Sequence, residues 1–485
     1  MGHAGKITIT TALCGLALGA TALGATTAAT AGNLAASTAK ATAKAAANAP
    51  DVVVRPDVIR FGTIPTSGPT TTKQCEQTEH VACYTPAQVR EAYGLNSLYA
   101  KGIDGKGTTI AIVDSYGSPT IKHDLSVFDA AFGIPAPPSF KIITPVGKIP
   151  AFNPKNSDMA GWAGETTLDV EWAHTIAPGA NILLVESPVS ETEGTVGFPQ
   201  IVKAEKYVLS HYHVAVISQS FSATEQTFPS KASIDSLRGA IIAADKDRVT
   251  MLAASGDSGV ANTEFNGSTY YLYKTVNWEP SDPLVTGVGG TQLHLDAAGN
   301  HTSPDSVWND TYNKAASENA CGTPTNCQLA GGGGTSVFFS RPGYQDGVAD
   351  TVGDARGVPD ISMSAACNGA VDLYASFPGL PAAYRWSQEC GTSEATPLFA
   401  GIVALASQYA GHSLGLINPA IYQIYADHDP GIVPVTSGNN TVTLKQSGKW
   451  YTIHGYRAAA SYNLATGVGT VDAQYFVPEL AALAG

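Results

Sequence analysis

Three short stretches of the chain carry residues whose chemistry would work together. The first is Gly391-Thr392-Ser393-Glu394-Ala395-Thr396-Pro397, followed by an apolar run over 398–409 that reads as a helix. Ser393 then stands at a helix start, where unpaired backbone N–H groups and the helix dipole favour a developing negative charge. A serine that merely caps its helix would look the same. A nucleophilic serine needs a base within hydrogen-bond reach. His123, His174, His211 and His213 occur in unrelated contexts, and His-Tyr-His at 211–213 falls at a helix-to-strand junction, where a structural role is simpler than a metal pair. Carboxyl groups are better placed. Glu165 and Asp169 stand at i and i+4, on one face of a helix. A solvated acidic face would have the same spacing, but like charges there mildly destabilise the helix. Two close carboxyls do not both ionise easily, so one pKa rises and a proton is shared. Such a base is weak at neutral pH and suited to acid. The third stretch is Ala254-Ser255-Gly256-Asp257-Ser258-Gly259, directly after the apolar run 249–254. Protonated, Asp257 would donate a hydrogen bond to an oxyanion. An ordinary turn aspartate is the alternative.

These residues need a frame. Residues 108–113, 181–186, 214–218 and 249–254 are short, apolar and rich in β-branched side chains, which predicts strands. Between them, 121–132, 165–177, 201–212 and 234–245 have helical spacing. The alternation predicts an α/β fold, a mainly parallel sheet with helices on both faces. Ligands in such sheets bind beyond the carboxyl ends of the strands, so the loops after the strands should hold the site.

Composition narrows the class. The 485 residues are 44% hydrophobic and carry a net charge of −13, which excludes whole-chain disorder. A pI near 5.2 argues against a nucleic-acid partner. Charged residues make up only 14%, which suits an acidic medium, because few carboxylates change charge as pH falls. Residues 1–31 read as a secretory signal: Lys6, an apolar run over 7–25, then small residues, with no Asp or Glu before position 51. No other segment approaches a membrane span, so a secreted, extracellular protein with no membrane contact after signal removal is expected. Residues 32–83 read as low-complexity linker or short pro-segment, and 84–485 as the globular domain. Cys14 leaves with the signal. Six cysteines remain, in the neighbouring pairs 75/83, 321/327 and 367/390. Sequence does not select a pairing; local disulfides are expected. A zinc site is disfavoured, since no C-x-x-C occurs.

The G-T-S-x-x-x-P string, with Ala400-Gly401 behind it, resembles the nucleophile motif of subtilisin-like serine peptidases, but the H-G-T-H that supplies their histidine base is absent. Together, the Glu165/Asp169 helix, Ser-Gly-Asp257 and Gly-Thr-Ser393 resemble the sedolisin family, the serine-carboxyl peptidases, over roughly residues 84–485. Further matches are Tyr84-Thr85-Pro86-Ala87-Gln88, Val285-Thr286-Gly287-Val288-Gly289-Gly290-Thr291, the glycines at 331–334, Phe339-Ser340-Arg341-Pro342-Gly343-Tyr344-Gln345 and Arg356-Gly357-Val358-Pro359-Asp360-Ile361-Ser362. The resemblance implies a subtilisin-like fold. It implies peptide-bond hydrolysis through an acyl-enzyme on Ser393, with Glu165 as general base and then acid. Asp169 would orient Glu165, and Asp257 would stabilise the oxyanion. Asp114, at the end of the 108–113 strand, matches an acidic supporting position. Main-chain recognition of an extended protein or peptide substrate is implied along Ser220, Phe221 and Ser222 and along Gly332 and Gly333.

The chain departs from that family pattern in three places. Ser222 replaces a frequent glycine beside the substrate. The family's calcium carboxylates are replaced by Pro434 and Asn463, and the glycines between them by Ala459 and Ser461. A hard dication without charged oxygen ligands binds weakly, so no cofactor is expected. The large folded prodomain of relatives has no room in 32–83. The expectation is a secreted, acid-acting, monomeric serine-type peptidase, endopeptidase or tripeptidyl-peptidase. The rivals are a histidine-based subtilisin and a catalytically silent secreted binding protein on the same scaffold.

Overall fold

The computed structural model describes residues 59–61, 67–190, 197–321 and 327–484. Its centre is an eight-stranded sheet: β1 (Thr109–Ser115), β2 (Phe140–Ile143), β3 (Asn181–Ser187), β4 (Val216–Gln219), β5 (Thr250–Ala254), β6 (Thr286–Gln292), β7 (Ser306–Val307) and β8 (Ile361–Ser364). The order is β7-β6-β5-β4-β1-β3-β2, with β8 also paired to β6. Every pairing is parallel except β6 with β7. The apolar runs of β1, β3, β4 and β5 are buried almost throughout, as strands covered on both faces require. The α/β class read from the sequence is the observed one.

Five helices matter most: α1 (Ile121–Phe132), α2 (Ser157–Ile176), α3 (Phe198–His211), α4 (Gly239–Lys246) and α5 (Thr392–Ala410). The expected helix at 121–132 matches α1 to the residue. Asn156 caps α2 by accepting from the amides of Asp158 and Met159, so that helix begins eight residues before Glu165. From Trp162 to Ile176 every residue of α2 is buried. A helix buried on all sides needs no polar stripe, and every polar side chain on it must answer for its burial. Helix α5 is buried from Thr392 to Ser407 and packs along α2, with Gly401 set against Ile176: a Cβ at 401 would fall 2.5 Å from the Ile176 Cβ.

Two sequence expectations change. The helix expected over 234–245 is two pieces, Lys231–Asp235 and α4, separated by a turn. Gly239, a poor helix former, opens the second piece, and Arg238 in the turn is drawn to Asp282, Nε to Oδ2 at 2.5 Å. The globular unit also begins before Tyr84. Residues Thr72–Thr78 form a capped helix, and Cys75 bonds Cys83. Thr70 is buried and donates to Asp372 Oδ1 at 2.5 Å. A second sheet runs Ile59–Phe61, Trp386–Cys390, Ala370–Tyr374, Cys83–Tyr84. Part of the segment read as a linker therefore belongs to the packed fold. The other disulfides are Cys321–Cys327 and Cys367–Cys390, the local pairing expected.

Candidate active site

Glu165 and Asp169 lie one turn apart on α2 and face the first turn of α5. The Ser393 hydroxyl lies 3.1 Å from Glu165 Oε2 and 3.2 Å from the Ser220 carbonyl oxygen, so its single hydrogen has two acceptors. Ser220 follows the last residue of β4. Its hydroxyl donates to Asp169 Oδ1 at 2.6 Å and lies 3.3 Å from the Ser393 carbonyl. One serine therefore touches both Asp169 and the backbone of Ser393. Beyond the carboxyl end of β5, Asp257 Oδ1 accepts from the Thr392 amide and the Thr392 hydroxyl, both at 2.7 Å. Thr392 Oγ1 accepts in turn from the Gly256 amide at 3.1 Å. These bonds staple the Asp257 loop to the residue before Ser393. Gly256 has φ +105°, and a Cβ there would sit 2.6 Å from Asn277 Nδ2, so glycine is required twice over.

Ser393, Glu165, Asp169 and Asp114 are 0% exposed and Asp257 5%. Burial pushes the Glu165 carboxyl well above the usual range. The charges of Asp169 and Asp114 push it further, and the Ser393 bond opposes them. Asp169 is raised by the same burial and by Asp114, against the bond from Ser220. Burial takes Asp114, at the end of β1, up to about 7, with the Thr166 hydroxyl opposing. The pressure on all three comes from burial and from other acids, so the group holds protons that solvent carboxylates would have released.

Ser393 meets Glu165 directly, Ser220 links Asp169 to Ser393, Asp257 is bonded to the neighbouring Thr392, and the charge of Asp114 acts on both carboxyls of the pair. The expected substrate residues are placed differently from one another. The Phe221 side chain is 1% exposed and packs against Trp162 and Phe198. Ser222 accepts from Asn277 Nδ2 at 2.9 Å. Gly332 donates its amide to Gly256, and a Cβ at 332 or 333 would fall 2.1 Å from the carbonyl oxygen of Ser255 or Leu464. The Phe221 and Ser222 side chains are spent inward, and at Gly332 the amide and carbonyl are already bonded to Gly256 and Ser255. Sequence reasoning missed the hydroxyls of Ser220 and Thr392 and the buried carboxyls of Glu389 and Glu394. Glu389 Oε1 lies 3.3 Å from where a Cβ on Gly164 would be, beside Glu165. Glu394 is buried directly after Ser393, its pKa raised by burial against a bond from Ser364. An acid inside an otherwise apolar helix was the available signal for Glu394.

The residues at the positions of the family's calcium loops do not fit a hard cation. Pro434 has no side-chain oxygen. Asn463 Oδ1 accepts from the amides of Ala465 and Thr466 and from the Thr466 hydroxyl, so its oxygen is turned into its own loop. Around them Val307, Val435 and Ala465 form an apolar cluster. His211 bonds the Tyr207 carbonyl and stacks on its ring, an ordinary helix-end role.

The Subtilase family profile matches residues 105–427. Kumamolisin of Bacillus sp. is 29% identical over 395 residues, covering 80% of this chain and 62% of the relative. Sedolisin of Pseudomonas sp. is 29% identical over 371 residues, covering 75% and 56%. The chain thus spans less than two thirds of the length of these relatives. A solved structure of Pseudomonas sedolisin, a serine-carboxyl proteinase complexed with two molecules of pseudo-iodotyrostatin, superposes with a TM-score of 0.65 at 26% identity, covering 83% of this chain and 98% of that one.

Proposed function

The chain belongs to the subtilase family, on its sedolisin branch, and from that premise we propose that it is a secreted serine-carboxyl peptidase that cleaves proteins or peptides in acid. The observation that carries this reading is the contact of Ser393 Oγ with Glu165 Oε2 at 3.1 Å, in a group that has no histidine. Glu165 removes the hydroxyl proton as Ser393 Oγ bonds to the scissile carbonyl carbon. The carbonyl electrons move to oxygen, and the protonated Asp257 carboxyl donates to that oxyanion. Glu165 returns the proton to the leaving amine as the C–N bond breaks; a water, deprotonated by Glu165, then attacks the acyl carbon, the bond to Ser393 Oγ breaks, and Glu165 gives that proton back to Ser393 Oγ. Asp169, fixed by Ser220, holds the proton balance of Glu165. The logic is that of a serine-base-orienter triad with carboxyls in place of imidazole. The burial and acid crowding of Glu165 and Asp169 support work at low pH, where the pair shares a proton. Main chain along 220–222 and 332–333 is the proposed track for an extended substrate, and Asp114 is proposed to tune the pair. No described helix is long and apolar enough to cross a membrane, and the disulfides suit an oxidising compartment.

The test is hydrolysis of an unfolded protein from about pH 2 to 8. Wild type should cleave only on the acidic side, and Ser393→Ala should lose at least about a thousandfold. Undiminished cleavage by Ser393→Ala would remove the reading. So would silence of a folded wild type at every pH.

A further inference from the structure

A second pair of buried acids lies at the root of the segment that bears Ser220. Gln219, the last residue of β4, is 0% exposed. Its Nε2 donates one hydrogen to Glu205 Oε1 at 2.9 Å and the other to Glu279 Oε2 at 2.8 Å. Glu205 comes from α3. Glu279 follows the short strand Asn277–Trp278. Each is 1% exposed. The strand Asn277–Trp278 pairs antiparallel with Ala223–Thr224, and Asn277 Nδ2 holds Ser222. The stretch 220–222 is therefore pinned at both ends to residues 277–279, at one end through the bridging amide. Between the pins Ser220 serves Asp169 and Ser393.

We propose that Glu205, Gln219 and Glu279 are positioning residues, a proton-dependent clamp that keeps 220–222 in place for the extended substrate. The proposal rests on the peptidase reading and adds how its substrate track is held. A single amide nitrogen bridges the carboxyls, so they can be no farther apart than its two hydrogen bonds laid end to end. While the pair holds a proton, the bridge carries at most one charge. When both ionise, two like charges face each other across one amide in a buried site, and separation is the only relief.

The surroundings do not cancel that repulsion. Lys206, next to Glu205 on α3, favours ionisation of Glu205, but burial outweighs it and takes Glu205 up to about 8. Glu279 is raised well up by burial and then by Glu205, with Asp282 adding and the Gln219 bond opposing. Asp282 is already bonded to Arg238 by two contacts. Glu225, across Ser281, is another acid. The clamp therefore closes in acid and opens as pH rises, apart from any titration of Glu165 and Asp169.

The experiment measures kcat and KM on one peptide substrate across the pH range, for wild type, Glu205→Gln and Glu279→Gln. Wild-type KM should climb on the alkaline side. In either glutamine variant the pair can no longer double its charge, so the alkaline KM rise should disappear with the kcat limbs in place. KM curves that superimpose on wild type would overturn the proposal, as would a fall in kcat without a KM shift. Hydrogen exchange of residues 216–224 in Ser393→Ala, corrected for intrinsic rates, reads the clamp without turnover. Protection should drop between about pH 5 and 8 and persist when Glu205→Gln is added; equal protection throughout would overturn the clamp. A wild type that hydrolyses nothing fails the peptidase reading alone, and the exchange result still decides the clamp. If one glutamine variant does not fold, the other and the exchange in Ser393→Ala carry the test.

Discussion

Ser220 has one hydroxyl hydrogen and gives it to Asp169, 51 residues away in the chain. That bond holds the Asp169 pKa below where burial alone would set it. Removing it in Ser220→Ala should raise the proton affinity of the acid pair, so a base that must be deprotonated to act becomes available only at higher pH. The acid limb of kcat should move up by about half to one pH unit, with little change in KM, because the Ser220 carbonyl remains. A pH–rate profile checks this, and an unmoved acid limb would assign Ser220 no electrostatic part. The four main residues were legible because their types are unusual for their places: a serine after Gly-Thr, two acids one turn apart, an aspartate at a strand end. Ser220 was expected only along the substrate track, and the bonds of its hydroxyl and of Thr392's were not legible, because a hydroxyl gives no sign of its partner. Thr392 reaches an acid 135 residues distant, and only the fold brings them together.

At the scale of elements, periodicity located the helices and strands that frame the site, and missed what tertiary contact decides. Helix α2 starts early because Asn156 caps it, and the helix expected over 234–245 breaks where Arg238 turns to Asp282. Residues 70–83 read as polar linker, yet the buried Thr70 also accepts from Gln388 at 2.7 Å, a contact no local pattern reveals. At the positions of the family's calcium loops the expectation came from missing residue types. With Pro434 lacking a side-chain oxygen and Asn463 turned inward, the loops are tied by backbone bonds instead. Val307 N donates to the Ser437 carbonyl, Ala458 N to Gly438, and Asn463 and Gly467 bond each other both ways. We propose that these loops need no metal. The thermal midpoint in excess chelator should then match that in millimolar calcium to within about 1 °C, since a ligand that does not bind the native state shifts nothing. Tight one-to-one calcium binding by calorimetry would refute this.

The whole molecule stores an unusual number of protons. Burial raises Glu165, Asp169, Glu171, Glu279 and Glu394 well above the usual carboxyl range. It takes Asp114, Glu186 and Asp372 to about 7, Glu205 to about 8 and Asp310 to about 6. Cationic partners are few in the interior: the fully buried ion pair among the described residues is Arg356 with Asp360, Nη2 to Oδ2 at 2.5 Å. A carboxyl whose folded pKa lies above its unfolded value near ~4 favours the fold while both states are protonated. Above that pH the unfolded chain releases its proton first. The contribution then falls until pH passes the folded value, so the window of loss runs from about 4 to 8. Ordinary domains are most stable somewhere in about pH 5 to 8; this one should peak below that range. Each raised unit is worth about 1.4 kcal/mol, so several such groups outweigh what a typical domain can spare, and the midpoint should drop by roughly 10 °C or more between pH 4 and 8. Ser393→Ala is the protein to melt, because it cannot digest itself as it unfolds. A midpoint that instead rises from pH 4 to 7 would mean that the interior acids keep their charge, and the proton shared by Glu165 and Asp169 would lose its physical basis.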